Sequence, residues 1–162
     1  MEDYAPPAEV LDIVDFWFAQ PWPLPADEVK LLGVEQFGWT TYQENGKTYV
    51  RNSVSGLSVS GVVVVGTDTE TSSISFRACD VVPDGSRTGE AELGDYFTTL
   101  VREAEARLGP ASFERSGDRE SASWLTDSRG RLDIRRNRRS ISVSYATPQS
   151  VELDREAARL GL

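Results

Sequence analysis

Seven apolar residues, Leu93, Tyr96, Phe97, Leu100, Val101, Ala104 and Leu108, fall on one side of a helix drawn through residues 90–108. This stripe constrains the fold more than any other feature of the chain. It covers a single face, so the helix must lie against a second layer that buries it. Its ends agree with its direction. Glu90, Glu92 and Asp95 lie early, Arg102 and Arg107 lie late, as the helix dipole favours, and Gly109-Pro110 stops it.

Short strands supply the second layer. In WTTYQENGKTYVRN, Asn45-Gly46 is a strong two-residue hairpin signal, because a type I′ turn needs positive φ at both central positions. That turn sets Tyr42 opposite Tyr49. Residues 56–65 and 73–81 read as two further strands joined by the polar GTDTETSS. After the long helix, SASWLT, RLDIRR and RRSISVSY read as three more.

Three other helices complete the order. Val10, Ile13, Val14, Trp17 and Phe18 share one face of a helix over about 8–19, ended by the proline-rich QPWPLPADE. A second helix runs over about 26–36, with Pro25 at its start and Gly38 at its stop. Thr147-Pro148 opens a terminal helix with Leu153, Ala157 and Leu160 on one side. Residues 1–7 read as a frayed tail. The expected fold is a single α+β domain over 1–162. It is a two-layer sandwich of mainly antiparallel sheet, about seven strands, packed by three to four helices. Helix, glycine, hairpin and strand follow one another twice, after residues 25 and 90, which leaves an internal duplication open.

Composition narrows the chemistry. The chain has no histidine, which removes Ser-His-Asp and Cys-His nucleophile activation and His-ligated zinc. The lone Cys79 has no internal disulfide partner and reads as a small buried hydrophobe. The start, MEDYAPPAEV, has no basic n-region, and the longest apolar runs are too short to span a bilayer, so a cytoplasmic protein is expected. Asp12 and Asp15 could pair as catalytic acids, but so acidic a chain produces such pairs by composition alone. No catalytic residue, metal or cofactor is expected.

The net charge of −9 is uneven. Residues 1–50 hold nine acids and two bases, a net −7, whereas residues 111–162 carry a net +2. The acidic front end, with Asp12, Asp15, Asp27, Glu28, Glu35 and Glu44 near Trp22, reads either as a solvated face or as a patch that steers a basic protein partner. Trp17 and Trp39 belong to the core, while Trp22, between prolines, is either a packing staple or an interface anchor.

The run RLDIRRNRRSISVSY places five arginines within residues 131–139. A two-residue turn at Asn137-Arg138 sets Ile134 opposite Ile141 and Leu132 opposite Val143, all facing the core. Arg131, Asp133 and Arg135 then face the other side, with Arg136, Arg138 and Arg139 at the tip. A charged hairpin end that blocks edge-to-edge pairing explains these arginines. Docking of an acidic loop or a phosphate through Arg135, Arg136, Arg138 and Arg139 is the alternative. The tip lacks an aromatic to stack a base, and the overall charge has the wrong sign for nucleic acid.

LPADEVKLLGVEQFGWT, a proline-led helix ending at Gly-Trp before a Thr-rich strand, occurs together with the Arg-tipped hairpin that runs into SVSYAT and a terminal helix. This combination resembles small actinobacterial domains of unknown function, many of which look like immunity proteins encoded beside secreted polymorphic toxins. The resemblance implies a cytosolic inhibitor that binds a cognate toxin and occludes its active site. It carries no site residues over. The absence of a catalytic kit and the acidic charge agree with a non-enzymatic protein whose partner is a basic toxin domain, and a monomer in a 1:1 complex is expected. A secretion chaperone or adaptor for an effector protein is the alternative, and a small-ligand or nucleic-acid binder using the Arg hairpin is a further one.

Overall fold

The computed structural model describes residues 4–52, 61–126 and 128–161. Its order is α1 (Pro7–Phe18), α2 (Ala26–Phe37), β1 (Thr40–Glu44), β2 (Lys47–Arg51), β3 (Gly61–Gly66), β4 (Thr71–Arg77), α3 (Arg87–Leu108), β5 (Ser112–Ser116), β6 (Arg119–Thr126), β7 (Gly130–Arg136), β8 (Ile141–Ala146) and α4 (Pro148–Arg159). The eight strands form one antiparallel sheet in the order β1-β2-β3-β4-β8-β7-β6-β5. Each half is a helix followed by a four-stranded meander, and the halves meet where β4 pairs with β8. The fold is α+β, as the periodicities require. The expected strand 56–65 appears as β3 from Gly61, and residues 56–60 lie outside those described.

Strand β5 is the one the sequence pattern does not reveal. SFERS offers no alternation, and every residue in it is exposed. It exists because Gly117-Asp118 turns the chain back and its backbone pairs with β6, from Ser116↔Arg119 to Ser112↔Ser123. The turn at Asn45-Gly46 is as expected, with φ of 51° and 76° and Tyr42 directly opposite Tyr49. The two tyrosine rings stack at 5.3 Å.

The β7–β8 connection differs from the expected one. It spans Asn137–Ser140, which sets Ile134 opposite Val143 and Leu132 opposite Tyr145. The cause is Asn137, whose Oδ1 accepts from the backbone N–H of Arg139 at 2.8 Å and of Ser140 at 3.0 Å. A two-residue type I′ turn would instead force positive φ on Asn137 and Arg138. The shift is two residues, so the faces keep their identity.

One face of the sheet is apolar. Val50, Val62, Ile74, Phe76, Leu132, Ile134, Val143 and Tyr145 are buried there in one cluster with α1, α2 and α3. Trp17 and Trp39 sit at its centre with rings 5.8 Å apart. The long helix is capped by Ser86, whose hydroxyl accepts from the Gly89 N–H at 3.1 Å.

Two expectations are corrected at the chain ends. The segment before α1 is tied down from Tyr4 onward rather than frayed. Tyr4 bridges to Cys79, the Ala5 N–H donates to the Ala78 carbonyl, and the Tyr96 hydroxyl donates to the Ala5 carbonyl at 2.6 Å. The apolar side of α4 is not packed. Thr147 caps this helix and Val151 is buried, but Leu153 and Leu160 are exposed. Its first turn packs on the sheet and Asp154 reaches Arg131 of β7 at 3.8 Å, while Leu153 and Leu160 face away from the core.

Gly33 in α2 marks the tightest packing. A Cβ there would collide with the Trp39 ring. Gly33→Ala should destabilise the protein by about 2 kcal/mol through overpacking, read as a lower urea midpoint with an unchanged m-value.

Candidate functional site

Three charged regions could meet a partner, and the structure treats them differently. In the first, Asp12 and Asp15 lie at i, i+3 on the outer face of α1. Arg107 Nη1, from the last turn of α3, reaches both, at 2.8 Å to Asp12 Oδ1 and 2.8 Å to Asp15 Oδ2. The two carboxylates hold Arg107 still more firmly protonated, Asp12 foremost. The pair is thus a clamp between two helices, and nothing in the local pattern around Asp15 points to a cation 92 positions away.

Trp22 is also engaged internally. Its indole N–H donates to the Trp17 carbonyl at 2.8 Å and its ring stacks on Tyr145 at 5.7 Å. Asp27, Glu28 and Glu35 remain exposed on α2 and Glu44 at the end of β1, with no ion pair among the described residues. Asp27, Leu31 and Glu35 are spaced at i, i+4 and i+8, so they run along the outer side of α2. Leu31 is 56% exposed between them. Beside this helix, Lys30 Nζ donates to the Thr48 carbonyl at 3.1 Å and fixes α2 against the β1–β2 hairpin.

The arginine hairpin is the second region. Arg136 turns to the helical side, 2.9 Å from Glu120 and over the Phe97 ring at 5.7 Å. The missing side chain at Gly94 leaves it that space, since a Cβ there would lie 2.8 Å from its guanidinium. Arg138 pairs with Asp118 at 2.8 Å, and Arg139 Nε donates to the Val82 carbonyl at 3.0 Å. Most of the run is therefore held by its own protein. Arg135 is the exception, with its nearest acid, Asp133, 3.9 Å away and its side chain 61% exposed.

Residue-by-residue reading did not single out the third region as a site. The sheet face opposite the core helices is open, and a polar hollow of about 880 Å³ lies over β5–β8. Its floor includes Ser121, Ser123, Ser142 and Asp133. Asp133 is only 5% exposed. Ser123 donates a hydrogen bond to it and Arg131 Nε approaches at 2.9 Å, so its charge is neutralised in place. The signal was the alternation itself: serines and charges recur at every second residue of β6, β7 and β8.

Among the described residues that line this hollow there is no cysteine, lysine or tyrosine. Cys79 is buried, and burial raises its thiol pKa to about 11. Tyr96 and Tyr145 are likewise pushed upward by burial. Among the described residues no group of three acidic or thiol side chains is arranged to hold a metal ion, and no helix is long and apolar enough to cross a membrane.

Asp133→Ala should cost about 2 kcal/mol in urea unfolding. It leaves the Ser123 hydroxyl without its acceptor and Arg131 with only Asp154 at 3.8 Å. Cys79 should resist an aromatic disulfide reagent in the native protein at mildly alkaline pH, because the thiolate is scarce well below about 11. It should react in full once guanidinium chloride unfolds the chain.

Neither the search of characterised proteins nor that of solved structures found a match. Residues 8–147 match a family of unknown function, DUF6301. The match starts in the first turn of α1, spans all eight strands and stops at Thr147, the cap of α4. On that extent, the chain belongs to the DUF6301 family.

Proposed function

We propose that this chain is a non-enzymatic, cytosolic binding protein that neutralises a secreted toxin domain by covering its active site, with α2 and the β1–β2 hairpin as the contact surface. One observation carries the choice of surface: the acids of α2 have no ion pair among the described residues, whereas the acids on α1 and two of the arginines at the hairpin tip are paired. Asp12 and Asp15 hold Arg107, and Arg136 and Arg138 hold Glu120 and Asp118. Asp27, Glu28 and Glu35 surround exposed Leu31 with no internal cation. An apolar anchor ringed by acids suits a basic partner, for which the acids supply steering and Leu31 supplies burial. The same hairpin offers the stacked Tyr42 and Tyr49, 37% and 40% exposed, with Arg51 over the Tyr42 ring at 4.4 Å.

An effective blockade needs roughly 1,600 Å² of buried surface. The outer side of α2 together with the hairpin is a plausible scale for half of that, with the free protein as a monomer. The toxin reading draws on the resemblance of the α2 segment and the Arg-tipped β7–β8 hairpin to small domains of unknown function, many of which look like immunity proteins. It is also supported by the local acidity of α2, where exposed Asp27, Glu28 and Glu35 complement a toxin that is basic because it handles a polyanionic substrate.

The test is co-expression with the product of the adjacent gene, with growth and pull-down as readouts. Wild-type protein should rescue growth and co-purify in a 1:1 complex. Asp27→Lys/Glu35→Lys should weaken the complex at least tenfold and make it less salt-sensitive, whereas Arg138→Gln should not. If the adjacent product is not toxic, or if rescue survives the double reversal, the proposal or its surface falls respectively. Capture of an extended effector segment by a dimer would favour the chaperone alternative instead.

A further inference from the structure

Arg135, the arginine left free by the hairpin, shares the open face with two others that come from different strands. Across the open face, Arg77 of β4 pairs with Ser142 of β8, Ser142 with Arg135 of β7, and Arg135 with Ser121 of β6. These four residues form one cross-strand row. Arg77 and Arg135 are two strand spacings apart, about 10 Å, with the Ser142 hydroxyl between them. Arg119 stands on the same face of β6, two residues from Ser121, and lines both the large hollow and a smaller one that contains Arg77.

Among the described residues, Arg77 and Arg119 have no acidic partner, and Arg135 has only the carboxylate of Asp133 at 3.9 Å. The nearby acids are engaged or displaced. Asp133 is held by Arg131 and Ser123, and Asp118 by Arg138. Glu114 lies beyond Ser121, at the end of the row away from Arg77. This end of the sheet therefore presents three guanidinium groups around a floor of serine hydroxyls, in a protein that is otherwise strongly acidic.

We infer that the Arg77–Arg119–Arg135 cluster is a binding site for a small oxyanion with two or more linked phosphate groups. Three planar forks on one face, two of them rooted about 10 Å apart and the third lining a hollow with each, can each take a separate pair of phosphate oxygens. A lone phosphate would leave at least one fork unused. The serine hydroxyls donate to oxygens between the forks. Nucleic acid is disfavoured, since no aromatic side chain from this row offers a base to stack on and the whole molecule repels a long polyanion. The site straddles the β4–β8 seam, shares no residue with α2 or the β1–β2 hairpin, and does not depend on the toxin-binding reading, so either can fail alone.

Calorimetry at low ionic strength tests it with four probes: inorganic phosphate, pyrophosphate, tripolyphosphate and ADP. Pyrophosphate and tripolyphosphate should bind more tightly than phosphate. Equal affinity for ADP and pyrophosphate would identify the phosphate chain alone as the determinant, and tighter ADP binding would identify a nucleotide source; both support the site. Arg119→Gln/Arg135→Gln should weaken binding about a hundredfold, and Ser142→Ala about threefold. Arg87→Gln/Arg102→Gln, which removes the same charge elsewhere on exposed helical positions, should change it less than twofold. Circular dichroism checks that each variant remains folded. Absence of pyrophosphate and tripolyphosphate binding, equal loss in the two double variants, or preferential binding of a poly-glutamate peptide would each overturn the inference.

Discussion

The β4–β8 pairing is the contact on which the rest of the molecule depends. It joins two four-stranded meanders through Ile74↔Tyr145, Ser75↔Ser144 and Phe76↔Val143. Without it, each meander would present an apolar face too small to bury itself. With it, Tyr145 becomes the point where the layers meet. Phe18 of α1 packs edge-on against its ring at 5.2 Å, Trp22 stacks on it, and its hydroxyl donates to the Arg129 carbonyl. The seam is also satisfied on its polar side, where the Ser75 and Ser144 hydroxyls lie 3.0 Å apart.

The same seam divides the open face by chemistry. One row across it reads Tyr42, Tyr49, then Val63, Ser75, Ser144, Asp133, Ser123 and Ser112 from β1 to β5. Its β1–β3 end is aromatic and aliphatic, with Val63 and Val65 more than half exposed. Its β7–β5 end is serine and charge. A sheet face that only needed to be soluble would mix the two. Their separation follows from the sequence order of the two meanders, because antiparallel pairing through β4 and β8 places the first strand of each at opposite edges.

Much of this was legible in the chain. The stripe on α3, the Asn45-Gly46 turn and the core faces of β7 and β8 each rest on local rules, and each is found in the structure. The failures share a cause as well. SFERS has no apolar face, so β5 has no signal of its own and its existence depends on pairing with β6 across the Gly117-Asp118 turn. The N-terminal residues looked like a tail because Tyr4 and Ala5 find their partners at Ala78, Cys79 and Tyr96. The α4 stripe of Leu153, Ala157 and Leu160 is a true helical pattern with nothing beneath it. Periodicity reports that a face is apolar, and only the tertiary path says whether something covers it.

Charge shows the same limit in a form that bears on function. From the sequence, Asp12, Asp15 and Asp27 look equivalent, and so do Arg135 and Arg138. In the fold they differ, because opposite charges close in space turn some of them into structural clamps and leave others available. Arg107 consumes two acids of the front end, and Asp118 and Glu120, on the turn and start of β6, consume two arginines of the hairpin. The overall −9 is then a poor guide to any one surface. What remains after local pairing is an acidic line on α2 and a basic cluster that runs from β4 to β6 on the open face of the sheet. With a screening length of about 8 Å at physiological salt, each acts on its own surroundings and not through the molecular net charge. An acidic protein can therefore present a cationic site, provided that the acids nearest to it are already spoken for.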